Sequence, residues 1–189
     1  MHLILASTSP RRRQLLTEAG YSFDVHLVDV DETQLEGELP RAYVERVAAD
    51  KAGTVDAPNA VGLGADTVVV NDGAVLGKPT DAAEAAEMLG ALSGGTHQVL
   101  SGWACSRAGK ILTSGVEATK VTFRSLAAAE IADYVATGEP LDRAGAYAIQ
   151  GGAGAFVAAI EGSYTNVMGL PMEAVSAALA DLGIGALQN

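Results

Sequence analysis

The chain has 189 residues, enough for one domain whose core needs no disulfide or metal staple. Apolar residues at 49% exclude general disorder, and aromatics at 5% are too sparse for a base-stacking platform. Lys+Arg number 12 against 23 Asp+Glu, and the resulting net charge of −11 gives a surface that repels nucleic-acid polymers and anionic membranes.

In chain order, the short apolar run 2–6 predicts a buried strand. Ser9-Pro10 then opens a helix to about Gly20, with Ser9 as N-cap and Pro10 in the first helical position. Residues 22–28 read as a second strand, the acidic stretch 29–38 as a loop, and Pro40 to about Ala52 as a helix. Residues 61–70 are a Val/Gly/Leu/Ala run interrupted by Asp66-Thr67. The turn signal Asn71-Asp72-Gly73 after it predicts a hairpin. Asp81 caps a helix to about Leu92, supported by Glu84 three residues on. Residues 97–106 and 111–124 form a long hairpin around Ala108-Gly109-Lys110, followed by a helix from Ala127 to Thr137. The Gly-rich stretch 138–154 resists assignment, 155–160 reads as a strand, and Pro171 starts the last helix. Strands alternating with helices, hairpins included, predict a mixed α/β sheet in a single domain, 1–189.

The lone Cys105 excludes an intramolecular disulfide and reads as a buried thiol. No apolar run approaches the ~18 residues that span a bilayer, and the N-terminal charges follow the apolar stretch instead of preceding it as in a signal peptide. A cytoplasmic protein is expected. The P-loop spacing fails at Gly73, Gly77 and Lys78. The dinucleotide fingerprint fails at Gly62-Leu63-Gly64, where Thr67 takes the third glycine's place. His2, His26 and His97 are too dispersed for a zinc site.

Five constellations remain. Arg11, Arg12 and Arg13 crowd the first turn of a helix, against its dipole, and a bound anion would remove the conflict. With Ser7 and the other small hydroxyl residues before them they suit phosphate, although a solvated basic turn reads almost as well. Asp66, after Gly64 in an apolar run, needs a cation, a metal or local backbone N–H groups as partner. Glu32, in the acidic loop, could join Asp66 in holding a hard cation or simply face solvent. Lys78 after Gly77, and Lys51 late on a helix, are each ordinary alone. Gln150 before Gly151-Gly152 could read a base edge or merely hold a turn. An anion cradle, two acids and no activated Ser or Cys fit metal-assisted attack of water on a phosphoanhydride better than covalent catalysis.

Leu5-Ala6-Ser7-Thr8-Ser9-Pro10-Arg11-Arg12, Gly64-Ala65-Asp66-Thr67, Gly77-Lys78-Pro79, the stretch Gly138 to Tyr147, Ile149-Gln150-Gly151, and Gly162 to Pro171 together resemble the Maf family of nucleoside triphosphate pyrophosphatases, named as septum-formation inhibitors. The resemblance implies an inosine-triphosphatase-like fold, a mixed twisted sheet with flanking helices and a central cleft. It implies a divalent cation, Mg²⁺ or Mn²⁺, held by Glu32 and Asp66, and hydrolysis between the α and β phosphates. By position, Asp66 matches the family's general base, with Glu32 and Lys78 beside it in the catalytic set. Ser7, Arg11, Arg12 and Lys51 match phosphate-binding positions. Arg11, Thr67 and Gln150 match the branch acting on dTTP and UTP, whereas the sister branch acting on 7-methyl-GTP usually has Trp, Gln and Glu there. Arg143 departs from the family's usual Lys. A homodimer is common in the family. The competing readings are a non-catalytic nucleotide-binding regulator of septation and a 7-methyl-GTP-preferring pyrophosphatase.

Overall fold

In the computed structural model, which describes residues 1–187, the first apolar run forms β1 (His2–Ala6), with Leu3, Leu5 and Ala6 buried. It turns at Ser7 into α1 (Pro10–Glu18) and returns through Gly20 (φ +81°) to β2 (Phe23–Val25). β2 is shorter than the expected 22–28, since only Phe23 to Val25 pair in parallel with β1. Ser9 occupies the N-cap position of α1, but its side chain makes no capping bond; its N–H donates to Ser7 Oγ at 3.2 Å.

The acidic segment 29–38 is irregular, as expected, and leads into α2 (Pro40–Gly53). The run 61–70 is one continuous strand, β3 (Ala60–Asn71), pairing in parallel with β1 so that Ala6 faces Gly64. Asp72 (φ +48°) and Gly73 (φ +82°) turn it into β4 (Ala74–Leu76), the left-handed pair that a two-residue hairpin requires. α3 (Ala82–Leu92) is capped by Asp81, whose carboxylate accepts from Glu84 N at 2.9 Å. β5 (Thr96–Arg107) and β6 (Lys110–Phe123) flank a turn at Ala108-Gly109 of the same left-handed kind. α4 (Ala128–Ala136) follows.

The stretch 138–154, unassigned from sequence, is taken up by three short 3₁₀ turns within 139–156; the strand expected at 155–160 starts two residues later, as β7 (Val157–Glu161), which pairs antiparallel with β6. Two helices close the chain, α5 (Tyr164–Met168), which no sequence pattern announced, and α6 (Met172–Asp181). The result is a mixed seven-stranded sheet in the order β2-β1-β3-β5-β6-β7, with β4 beside β3, and flanking helices.

The chain clusters into two compact units. The first holds 1–67, 101–117 and the chain from Gly169 onward; the second holds 68–100 and 118–168. Leu5, Leu16, Val44, Val47 and Leu63 sit in the core of the first. In the second, Phe123 meets His97, Tyr147 and Phe156 edge-to-face, with centroids 5.0–6.0 Å apart. Cys105 is buried and its thiol is pushed up to about 12 by desolvation, which suits a packing role. No described helix is long and apolar enough to cross a membrane.

Candidate active site

Parallel pairing of β1 with β3 sets the geometry of the first unit. Ser7 leaves the carboxyl end of β1 as Asp66 lies two residues past Gly64 on the neighbouring strand, the end of a parallel sheet where ligands bind. Gly62, Gly64 and Asp66 alternate onto one face of β3. A Cβ on Gly64 would run into the Ala48 carbonyl oxygen and the Ala52 amide of α2. The missing side chain therefore lets α2 lie close against the strand, close enough for Lys51 to reach Asp66.

Lys51 occupies a core position of α2, on the face of Val44, Val47, Ala48 and Ala52. A lysine there must be paired. Its Nζ lies 2.9 Å from Asp66 Oδ1 and 2.9 Å from Glu32 Oε1. Lys51 and Asp66 are each only 7% exposed, whereas the Glu32 side chain is half-exposed. The two candidate acids thus converge on one buried ammonium.

Thr67, next to Asp66, points to the opposite face. Its Oγ1 lies 2.8 Å from Ser101 Oγ and 3.2 Å from Gly169 O. Arg12 completes this frame, donating from Nε to Gly169 O (2.8 Å) and from its terminal nitrogens to Ser7 Oγ (3.1 Å) and Thr67 Oγ1 (3.2 Å). Gly169 (φ +115°) adopts a conformation that favours glycine, and its carbonyl serves both partners. Burial draws the Arg12 guanidinium below its ordinary range, and the charges of Asp66 and Glu32 oppose that shift. Arg12 is thus an internal tie of the Ser7 loop. Arg11, partly exposed one residue earlier, lies on the same first turn.

The remaining sequence candidates belong to the second unit. Lys78 Nζ donates to Asp142 Oδ1 at 2.6 Å, and both side chains are largely exposed, at 65% and 76%. Gln150 is exposed on a turn closed by Gly151 N donating to Ala148 O. That turn is pinned on both sides: Ala148 N donates to Tyr134 Oη at 3.0 Å, and Gly152 N to Glu139 Oε2 at 3.0 Å.

Sequence reasoning missed Tyr43, Arg46 and Glu38. Tyr43 Oη donates to Glu32 O at 2.8 Å, and the Arg46 guanidinium grips Glu38 through two bonds. The available signal was the i, i+3 placement of Tyr43 and Arg46 on one face of α2, next to an acidic loop.

Among the described residues, no group of three or more His, Cys, Asp or Glu side chains is arranged to hold a metal. Two converging carboxylates still fit a hard cation of the Mg²⁺ kind, which takes one or two protein oxygens and completes its shell with water and phosphate.

A family model described as "Maf-like protein" matches residues 2–182. The chain is 53% identical to a dTTP/UTP pyrophosphatase of Anaeromyxobacter dehalogenans, over 96% of this chain and 94% of that one. Proteins of the same name from Symbiobacterium thermophilum (50%, covering 96% and 94%) and Geobacter metallireducens (49%, covering 96% and 96%) are similar as well. Among solved structures, a nucleoside-triphosphatase / dITP/XTP pyrophosphatase of Mycobacterium abscessus aligns with a TM-score of 0.39 at 20% identity, over 67% of this chain and 76% of that one.

Proposed function

The chain belongs to the Maf family, and on that premise we propose that it is a pyrophosphatase hydrolysing dTTP and UTP to the nucleoside monophosphate and pyrophosphate. The observation that carries the reading is the 53% identity, over nearly the whole chain, to a protein named for that activity.

In this reading Ser7 and Arg11, at the start of α1, receive the phosphates, helped by the helix's own N–H groups. Arg12 holds the Ser7 loop in place through its bonds to Ser7, Thr67 and Gly169. Lys51 engages Asp66 Oδ1 and orients the carboxylate, so that Oδ2 can take the proton of the attacking water. Water oxygen bonds to the α phosphorus, the bond to the bridging oxygen breaks, and pyrophosphate leaves. Glu32 and Asp66 would hold a divalent cation, Mg²⁺ or Mn²⁺, whose charge offsets the phosphates and acidifies bound water. By family position Lys78 adds a cation and Gln150 reads the base: an amide offers an acceptor and two donors, which match the O4 and N3–H pattern of uracil and thymine. A cytoplasmic setting and a homodimer belong to the same proposal.

The test is pyrophosphate release from dTTP, UTP, CTP, GTP and 7-methyl-GTP with Mg²⁺, with one run in ¹⁸O-labelled water. Preference for dTTP and UTP, with label in the monophosphate, is expected. A diphosphate product, or no turnover of either pyrimidine substrate, overturns the reading.

A further inference from the structure

Glu32 lies in a segment, 29–38, without helix or strand, where an unanchored side chain would sample many positions. Its pairing with Lys51 does not fix that segment alone, since a half-exposed carboxylate meeting one ammonium leaves the main chain free to shift. The main chain is held elsewhere. Tyr43 Oη donates to the carbonyl of Glu32 itself at 2.8 Å. One helical turn on, an Arg46 terminal nitrogen donates to the carbonyl of Thr33 at 3.0 Å. The same guanidinium grips Glu38, with Nε 2.7 Å from Oε1 and NH2 2.8 Å from Oε2, a two-point fork that fixes angle as well as distance.

Glu38 passes the restraint back into the loop. Its Oε2 accepts from Leu35 N at 3.0 Å, and its carbonyl accepts from Gln34 Nε2 at 2.8 Å. The Arg46 guanidinium also lies 5.7 Å from the Tyr43 ring centre, so the two α2 side chains brace each other. The Arg46 fork holds the Glu38 carboxyl down to about 2, and burial beside Asp66 and Glu32 pushes the Tyr43 phenol up to about 12. Both therefore keep their bonding protonation states across the neutral range.

We propose that Tyr43 and Arg46 are positioning residues that act on the reaction through Glu32, by clamping residues 32–38 onto α2 so that its carboxylate meets Lys51 and the substrate. This rests on the pyrophosphatase reading, in which Glu32 serves the reaction.

The test compares Tyr43→Phe, Arg46→Ala, Arg46→Lys, Glu32→Gln and the double variant Tyr43→Phe/Glu32→Gln. It measures dTTP turnover and amide hydrogen exchange of residues 31–38 in the substrate-free protein. Tyr43→Phe should lower kcat about tenfold, the scale of one lost hydrogen bond, with KM little changed and exchange faster. Arg46→Ala should cost about 10²-fold, the scale of a misplaced reacting group, and Arg46→Lys should recover only part, because an ammonium cannot reproduce the fork. In the Glu32→Gln background, Tyr43→Phe should cost little more, since its effect passes through the lost carboxylate. An equal loss from Tyr43→Phe in both backgrounds overturns the proposal, as does unchanged kcat in Tyr43→Phe and Arg46→Lys. Should Arg46→Ala fail to fold, Tyr43→Phe, which removes one oxygen, carries the same decision. If the wild-type protein turns over neither dTTP nor UTP, the pyrophosphatase reading fails by itself. The exchange measurement then decides the clamp: faster exchange in Tyr43→Phe supports it, and unchanged exchange overturns it.

Discussion

In the first unit the buried polar side chains include full charges: Arg12, Lys51 and Asp66 are 7–8% exposed. In the second, the buried polar side chains among the described residues are neutral, namely His97, Thr119 and Asn166. There Asn166 Nδ2 donates to Val99 O and Thr119 Oγ1, while His97 Nε2 lies 2.9 Å from Tyr147 Oη among aromatic rings. Removing a charge from water costs several kcal/mol even after relaxation, and a neutral hydrogen-bonding group costs far less. Three charges buried in one unit, at that cost, agree with the proposed site lying there. The second unit uses its polar groups to fix packing.

The comparison breaks most severely at Asp66. Asp66→Asn keeps the shape and an oxygen for Lys51 but removes the carboxylate. Turnover of dTTP should fall about 10²–10⁴-fold, the usual effect of losing a general base. The fold should survive, because Lys51 retains Glu32. Pyrophosphate release measured beside a thermal melt checks both parts. Near-wild-type turnover would remove Asp66 from the chemistry.

Arg12→Ala should be the most damaging arginine change for stability, at about 1–3 kcal/mol, because it empties a buried site and removes three bonds that tie the Ser7 loop to Thr67 and Gly169. Arg11→Ala should raise KM and leave apo stability nearly unchanged, since an arginine in the first helical turn opposes the dipole. Denaturant unfolding of both variants, with KM for dTTP, separates the tie from the arginine proposed to meet phosphate. Equal stability losses would erase the distinction.

That distinction was not legible in the sequence, where Arg11, Arg12 and Arg13 are three identical letters. Which one turns inward depends on Gly169, a partner 157 positions away along the chain. Elements governed by local rules were legible: β1, the turns at Asp72-Gly73 and Ala108-Gly109, and the Asp81 cap all follow from neighbouring residues. α5 was not, because five residues carry no helical period and Ser163 Oγ, which accepts from Asn166 N at 3.2 Å, reads as any loop serine. The 3₁₀ turn at 144–146 depends on Gly145, where a Cβ would strike Val69, a tertiary fact. In the site, Asp66 showed as a carboxylate in an apolar run. Lys51 could have shown as a lysine on the apolar face of α2. For Tyr43 and Arg46 only their shared face on α2 was legible; their partners were not, since these include main-chain oxygens of an aperiodic loop.

The second unit has its own weak point, in acid. Desolvation lowers His97 from 6.5 to about 4 in the folded protein, and its Nδ1 has no hydrogen-bond partner among the described residues. The unfolded chain therefore binds more protons between these values, and stability rises with pH across the window. The contribution is complete above about pH 6.5 and is lost progressively as pH falls toward 4, by about 3 kcal/mol in all. Urea unfolding from pH 4 to 8 should show this slope, and His97→Phe should flatten it. A slope unchanged in His97→Phe would assign the acid sensitivity to other groups.

The smallest stability effect is expected at Lys78 and Asp142. Their 2.6 Å ion pair is short, yet both partners are mostly in water, where such pairs contribute about 0–1 kcal/mol. A short distance on an exposed surface therefore says little about stability, in contrast to the longer 2.9 Å bonds of buried Lys51. Lys78→Met and Asp142→Asn should each melt close to wild type, with any difference shrinking further at 1 M salt. Turnover separates the pair where stability does not. Lys78 is proposed to meet a polyanionic substrate, so Lys78→Met should raise KM for dTTP. Asp142 occupies the lysine in the substrate-free protein, so Asp142→Asn should leave KM equal or lower it. If Asp142→Asn instead raises KM as much as Lys78→Met does, the carboxylate serves to position the lysine, and the ion pair acts in the reaction as one unit.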